Sequence, residues 1–143
     1  MARMKVNALG YYSLNGKSVI SFPENSRWES MISFIRKVRK NNPGKAIIIV
    51  LDNLKSHKVK EVKAEAEKLG IELVFLPPYS PDLNPIEYVW KSIKRIMSTT
   101  FVRHVDDIRN TIKEAFYRLT KKLSFAAAWI DKFLRPDYNY FCK

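Results

Sequence analysis

Asp52 closes an unbroken apolar run, Ala46-Ile47-Ile48-Ile49-Val50-Leu51, and Glu87 stands just inside a helix start marked by Asn84-Pro85. Two carboxylates brought to one place repel each other, and a divalent cation relieves that repulsion. Hard oxygen donors favour Mg2+ or Mn2+. When two such ions share a site, they activate a water or a 3′-hydroxyl and steady the leaving oxygen during in-line attack on a phosphodiester. Each acid also has a plainer use. Asp52-Asn53 is a turn-initiating pair, and Glu87 can close a capping box with Asn84 or pair with Lys91 one helical turn later. His57 is the other candidate ligand nearby, although imidazole matches magnesium poorly and a polar residue in the first turn of a helix is ordinary.

The elements that must position these groups follow from the hydrophobic pattern. Residues 5–13 and 17–22 are rich in Val, Ile, Tyr and Phe, with Asn15-Gly16 between them, which predicts a tight β-hairpin. Ser26 and Glu29 form a capping-box pattern ahead of Trp28, Met31, Ile32, Ile35 and Val38, a helical stripe that Asn42-Pro43-Gly44 stops. The run 46–51 predicts a strand covered on both faces. Val59, Val62, Ala66 and Leu69 predict a helix over 55–69 ending at Gly70, followed by a strand over 71–76. A strand–helix–strand unit crosses over right-handed, so the two strands are parallel and their carboxyl ends share one edge. Asn84 as N-cap with Pro85 at the first helical position returns Glu87 towards that edge.

In the helix after Pro85, Ile86, Val89, Trp90, Ile93, Ile96 and Met97 fall on one arc, while Glu87, Lys91, Lys94 and Arg95 fall outside it. A further helix is expected over 106–122, and a short one over 126–134. Trp28 and Trp90 lie on apolar stripes and are expected in the core rather than stacked on bases. Lys55, Lys58, Lys60 and Lys63 make a basic run that is either a solvated face or a set of phosphate contacts.

With 143 residues the chain suits one compact α/β domain, and its net charge of +12 points to a nucleic-acid partner, an anionic membrane surface being the competing reading. The lone Cys142 leaves no disulfide framework and no Cys-based zinc site. No apolar run has transmembrane length and residues 1–5 lack the apolar core of a secretion signal, so a soluble, cytoplasmic protein with no membrane partner is expected.

Taken together, Val50-Leu51-Asp52-Asn53, His57, the string Leu76-Pro77-Pro78-Tyr79-Ser80-Pro81-Asp82-Leu83-Asn84-Pro85-Ile86-Glu87 and Trp90 resemble the catalytic domain of DDE transposases of the IS630/Tc1/mariner superfamily. The 34 residues between Asp52 and Glu87 match the acid spacing of the IS630 and Tc1 branches. The resemblance covers about residues 5–122. It implies an RNase H-like mixed sheet flanked by helices, in which three acids bind Mg2+ or Mn2+ for DNA strand cleavage and strand transfer at transposon ends and target. Asp52 matches the second acid and Glu87 the third. Asn53, His57, Tyr79, Asn84 and Pro85 match positions that shape the loop and support the acids. Lys55, Lys58, Lys91, Lys94 and Arg95 are the candidate DNA contacts.

The resemblance is N-terminally truncated. No aspartate precedes Asp52, Glu29 is assigned to its helix cap, and no residue can take the first acid's part. The family's upstream helix-turn-helix region is also unmatched, so residues 1–143 are expected to be one partial catalytic domain. In the RNase H-like order the missing strand is the central one, between the hairpin and the Asp52 strand. Its absence implies that the hairpin pairs directly with 46–51 or that another chain fills the space, in a homodimer or a strand-exchanged oligomer. Three readings stay open: a partial transposase inactive alone, a two-acid metal-dependent nuclease, and a non-catalytic DNA-binding or assembly module.

Overall fold

A computed structural model describes residues 5–133 apart from residues 54 and 58. Strands β1 (Leu9–Tyr11) and β2 (Val19–Ser21) form the expected antiparallel pair, with Gly10 opposite Ile20. The connection is not a two-residue turn at Asn15-Gly16, because Gly16 is not among the positive-φ residues such a turn requires. Instead Ser13 Oγ accepts from Gly16 N–H at 2.8 Å, and buried Asn42 bonds both backbone groups of Lys17 at 2.7 and 3.0 Å. The polar side chains of a wider loop do what a tight turn would have done.

Helix α1 (Trp28–Asn41) buries Met31, Phe34, Ile35 and Val38. Its start is not the Ser26–Glu29 capping box. Asn25 Oδ1 instead accepts from Arg27 N–H at 3.0 Å and from the Ser30 hydroxyl at 3.1 Å. Strands β3 (Ile47–Leu51) and β4 (Ile71–Phe75) are parallel, Ile47 opposite Ile71 through Leu51 opposite Phe75, as the crossover argument requires. The intervening helix is shorter than expected: a 3-10 turn over Lys55–His57 comes first, and α2 runs Lys60–Lys68. Gly70 ends it at φ +68, where a side chain would be strained. A second 3-10 turn, Pro81–Leu83, precedes α3 (Ile86–Ser98), followed by α4 (Val105–Thr120), a 3-10 turn over Ser124–Ala126 and α5 (Ala127–Phe133).

Adjacent residues of a strand face opposite ways, and β2 uses this to join two cores. Val19 packs with Met31, Phe34, Ile35, Val38, Ile47, Val62 and Ile71 around α1. Ile20 packs with Val89, Ile93, Ala115 and Phe116 from α3 and α4. The hairpin is thus a middle layer between α1 and the α3–α4 pair. The β3–β4 pair is covered by α1 and α2 on one side only; on the other, Ile48 and Val74 are 60% and 42% exposed, so the apolar run is not sheathed on both faces as expected.

Among the described residues the strands make two separate two-stranded sheets, β1–β2 and β3–β4. The hairpin therefore does not pair directly with the Asp52 strand. Trp90 is half-buried against Phe116, ring centroids 5.5 Å apart, as its stripe predicted. Trp28 is not core: it is 36% exposed at the head of α1, where the helix outruns its packing partners. No helix among the described residues is long and apolar enough to cross a membrane.

Candidate active site at the carboxyl edge of the parallel strands

The exit of the chain from β3 and β4 is fixed by one further bond, Leu76 N–H to Leu51 O at 2.8 Å, so both strands release the backbone at the same edge. Asp52 is the first residue beyond that point. His57, carried back by the 3-10 turn, is buried, and its Nδ1 lies 2.9 Å from Asp52 Oδ1. The two atoms meet in distance but not in direction, and neither gains a directed hydrogen bond. With Oδ1 turned inward and the side chain still 43% exposed, Oδ2 takes the solvent side.

Glu87 arrives by the Pro-rich loop. Tyr79 adopts φ +59, a left-handed conformation costly for a residue with a Cβ, and its ring stands fully in solvent. It therefore reverses the chain with its backbone rather than touching either acid with its ring. Leu83 N–H then bonds Ser80 O at 3.1 Å, Asn84 Oδ1 accepts from Ile86 N–H at 3.4 Å, and Glu87 N–H bonds Asn84 O at 3.0 Å. Pro85 rather than Asn84 thus stands at the N-cap, so α3 starts one residue later than expected, and the N-cap makes no side-chain capping bond.

Burial raises the Glu87 pKa above the usual carboxyl value, the charge of Asp52 raises it further, and Lys94 pulls it back. The second cause places the two carboxylates within electrostatic range of each other. Lys94 lies two helical turns beyond Glu87 on the same face. Lys91, Lys94 and Arg95 are exposed along α3, and Lys55 is exposed at the start of the 3-10 turn. Asn53 is half-exposed beside Asp52, and Lys58 lies outside the described residues.

Two carboxylates are the oxygen donors a hard divalent ion takes, and Asp52 Oδ2 is the oxygen left on the solvent side, since Oδ1 is turned towards His57. Among the described residues, no group of three or more His, Cys, Asp or Glu side chains is placed to hold a metal. Arg27, not singled out in the sequence, and Trp28, expected in the core, border an open hollow with Lys55. The available signal was position, since a tryptophan at the first turn of a stripe has fewer neighbours than one in its middle.

Residues 2–109 match the family model described as DDE superfamily endonuclease. The chain is 33% identical over 61 residues to the Tcb2 transposase of Caenorhabditis briggsae, covering 43% of this chain and 22% of that protein. It is 28% identical over 75 residues to the Tc1 transposase of Caenorhabditis elegans, covering 52% of this chain and 28% of that protein. The chain thus spans about a quarter of the length of these curated relatives. Its fold is similar to the Mos1 transposase catalytic domain solved with Raltegravir and Mg, at TM-score 0.58 and 18% identity, over 82% of this chain and 76% of that one. A second structure, of the catalytic domain of Mos1 mariner transposase, gives the same TM-score of 0.58 over 82% of this chain and 74% of that one. The fold is accordingly the RNase H-like α/β type, with its sheet in two halves.

Proposed function

Because the chain belongs to the DDE superfamily endonuclease family, we propose that it is part of a transposase catalytic domain in which Asp52 and Glu87 hold Mg2+ or Mn2+ against a DNA phosphodiester. The observation that supports this reading is placement: β3 and β4 are parallel and end together, Asp52 follows β3 directly at that edge, and Glu87 stands in the first turn of α3, which the loop leaving β4 enters. A bound divalent ion would supply Lewis-acid stabilisation of the phosphate and an activated oxygen nucleophile. Asp52 presents Oδ2 and Glu87 its half-buried carboxylate, while His57 backs Asp52 from inside. Lys94 tempers the negative charge, and Lys55, Lys58, Lys91 and Arg95 join it in contacting the DNA backbone of transposon ends and target. Asn53, Asn84, Pro85 and the backbone of Tyr79 fix the loops from which the acids project.

Residues 1–143 act as one partial domain, and two acids are too few for full activity. We therefore expect no transposition by the chain alone. The two strand pairs are not hydrogen-bonded to each other, which leaves unpaired strand edges and favours assembly as a homodimer or strand-exchanged oligomer. The test is nicking of supercoiled DNA with Mn2+ by the chain and by Asp52→Ala and Glu87→Ala. Binding without nicking, with Mn2+ bound by the chain and by neither variant, fits the partial site. Nicking lost in either variant would establish a two-acid nuclease instead. DNA binding with no acid-dependent metal binding would leave a DNA-binding or assembly module.

A further inference from the structure

We propose that Trp28, Arg27 and Lys55 form a platform on which an unpaired nucleotide flanking the reacting phosphodiester stacks; this rests on the reading that Asp52 and Glu87 act on DNA. Trp28 leads an apolar stripe whose later members Met31, Ile35 and Val38 are buried, yet Trp28 itself is 36% exposed. The ring borders an open hollow of about 490 Å³ that it shares with Arg27, Glu29, Lys55 and Val59. A second open hollow that Trp28 borders is lined with Glu61, Glu65, Glu67 and Lys68, and Glu65 is paired with Arg36 at 2.8 Å. The first hollow thus carries two cations against one acid, and the second three acids against one cation.

The hollow lies beside the acid edge. Lys55 is three residues past Asp52, at most about 11 Å of extended chain, and the 3-10 turn that begins at Lys55 packs against α1. An exposed aromatic face next to cations suits a nucleotide: the base stacks on the ring and its phosphate meets Arg27 or Lys55. The polarity is set by the balance of charge, net positive in the hollow of Arg27 and Lys55 and net negative along α2 even with Lys68 there, which favours a phosphate on the Arg27–Lys55 side. Glu29, in the same hollow as the cations, offers an acceptor to an exocyclic amine of the base. Bases within a duplex already stack on one another, so only an overhanging or extruded nucleotide can use the indole.

The test compares a blunt duplex with the same duplex carrying a short 3′ overhang, using fluorescence anisotropy and the wild-type chain, Trp28→Ala, Trp28→Leu and Trp28→Phe. The platform requires Trp28→Ala and Trp28→Leu to weaken overhang binding by about tenfold, as loss of base stacking does, while blunt-duplex affinity stays within about twofold. Trp28→Phe keeps most of the preference, and Arg27→Ala with Lys55→Ala lowers the salt dependence of overhang binding. Trp28→Leu keeps apolar bulk without an aromatic face, so if it binds the overhang as wild type does, the proposal is overturned. Equal losses on both DNAs overturn it too, as does self-association lost in Trp28→Ala, which would make the hollow a protein interface. A chain that binds neither DNA would sink the reading of the acids as well; one that binds both without preference sinks this inference alone.

Discussion

At Glu87, burial and the Asp52 charge both act against ionisation, and the sign of that effect sets a pH dependence. The folded pKa is raised above the ordinary 4.5, so the folded state holds the proton more tightly than the unfolded chain. Stability from this group is present below the ordinary value and is lost as pH rises through the raised one. Glu87→Gln removes the ionisation, so thermal unfolding should show the variant more stable than wild type at neutral pH and equal to it in strong acid. A divalent ion reverses the penalty by neutralising the pair. At ten times its dissociation constant, Mn2+ adds about 1.4 kcal/mol, raising the midpoint by roughly 3–5 °C. That rise disappears in Asp52→Asn. His57→Ala, which removes the side chain behind Asp52, should weaken Mn2+ binding by about 10–100-fold in calorimetry, as loss of ligand support does. The two acids were legible in the sequence because a strand end and a helix start announce themselves by residue type. His57 was legible as a nearby polar residue and as a match to a supporting position of the family; that it turns inward to Asp52 depends on the 3-10 turn that breaks the expected helix over 55–69.

Helices were legible wherever a single periodicity dominated, as in α1, α3 and α4, and the parallel sense of β3 and β4 followed from the crossover between them. Boundaries failed where side-chain hydrogen bonds decide them. Asn25 took over the start of α1 from Ser26, and Asn42, reaching across from the end of α1, replaced a tight turn with an anchored loop. Such long-range polar contacts leave no period in the sequence. Gly10 illustrates the same limit in packing. It reads as a weak point in a strand, yet a Cβ there would lie 2.6 Å from Trp90 Cζ2 and 2.9 Å from Phe116 Cε2. The missing side chain lets α3 and α4 close their stacked aromatic pair onto the hairpin. Gly10→Ala must push both rings aside, so chemical denaturation should show a loss of about 1–3 kcal/mol. The substitution of Gly44, where φ is +71 and nothing lies within 4 Å, tests backbone strain without crowding. Gly44→Ala should therefore cost less, about 1 kcal/mol.

On the scale of the molecule, a +12 chain places its two interacting acids on a surface that otherwise attracts phosphate. The charge could serve solubility alone, in which case its position would not matter. The fold gives it position. Lys91 and Lys94 stand one and two helical turns beyond Glu87 on the same exposed face of α3, a basic track leading away from the acids. Lys40 lies at the other end of the molecule: α1 finishes there and feeds the start of β3, opposite the edge that carries Asp52. Both sets carry the same charge per residue, so a nonspecific effect of net charge cannot tell them apart. Counterion release can, because each neutralised duplex phosphate contributes about 0.9 to the slope of log affinity against log salt. Lys91→Ala combined with Lys94→Ala should lower that slope by about two units and weaken binding equally across DNA sequences. Lys40→Ala, measured on the same duplex across the same salt series, should leave the slope unchanged. Equal slope changes from the two ends would mean that DNA does not follow the track, and the acids would then lack a defined path by which a phosphodiester reaches them.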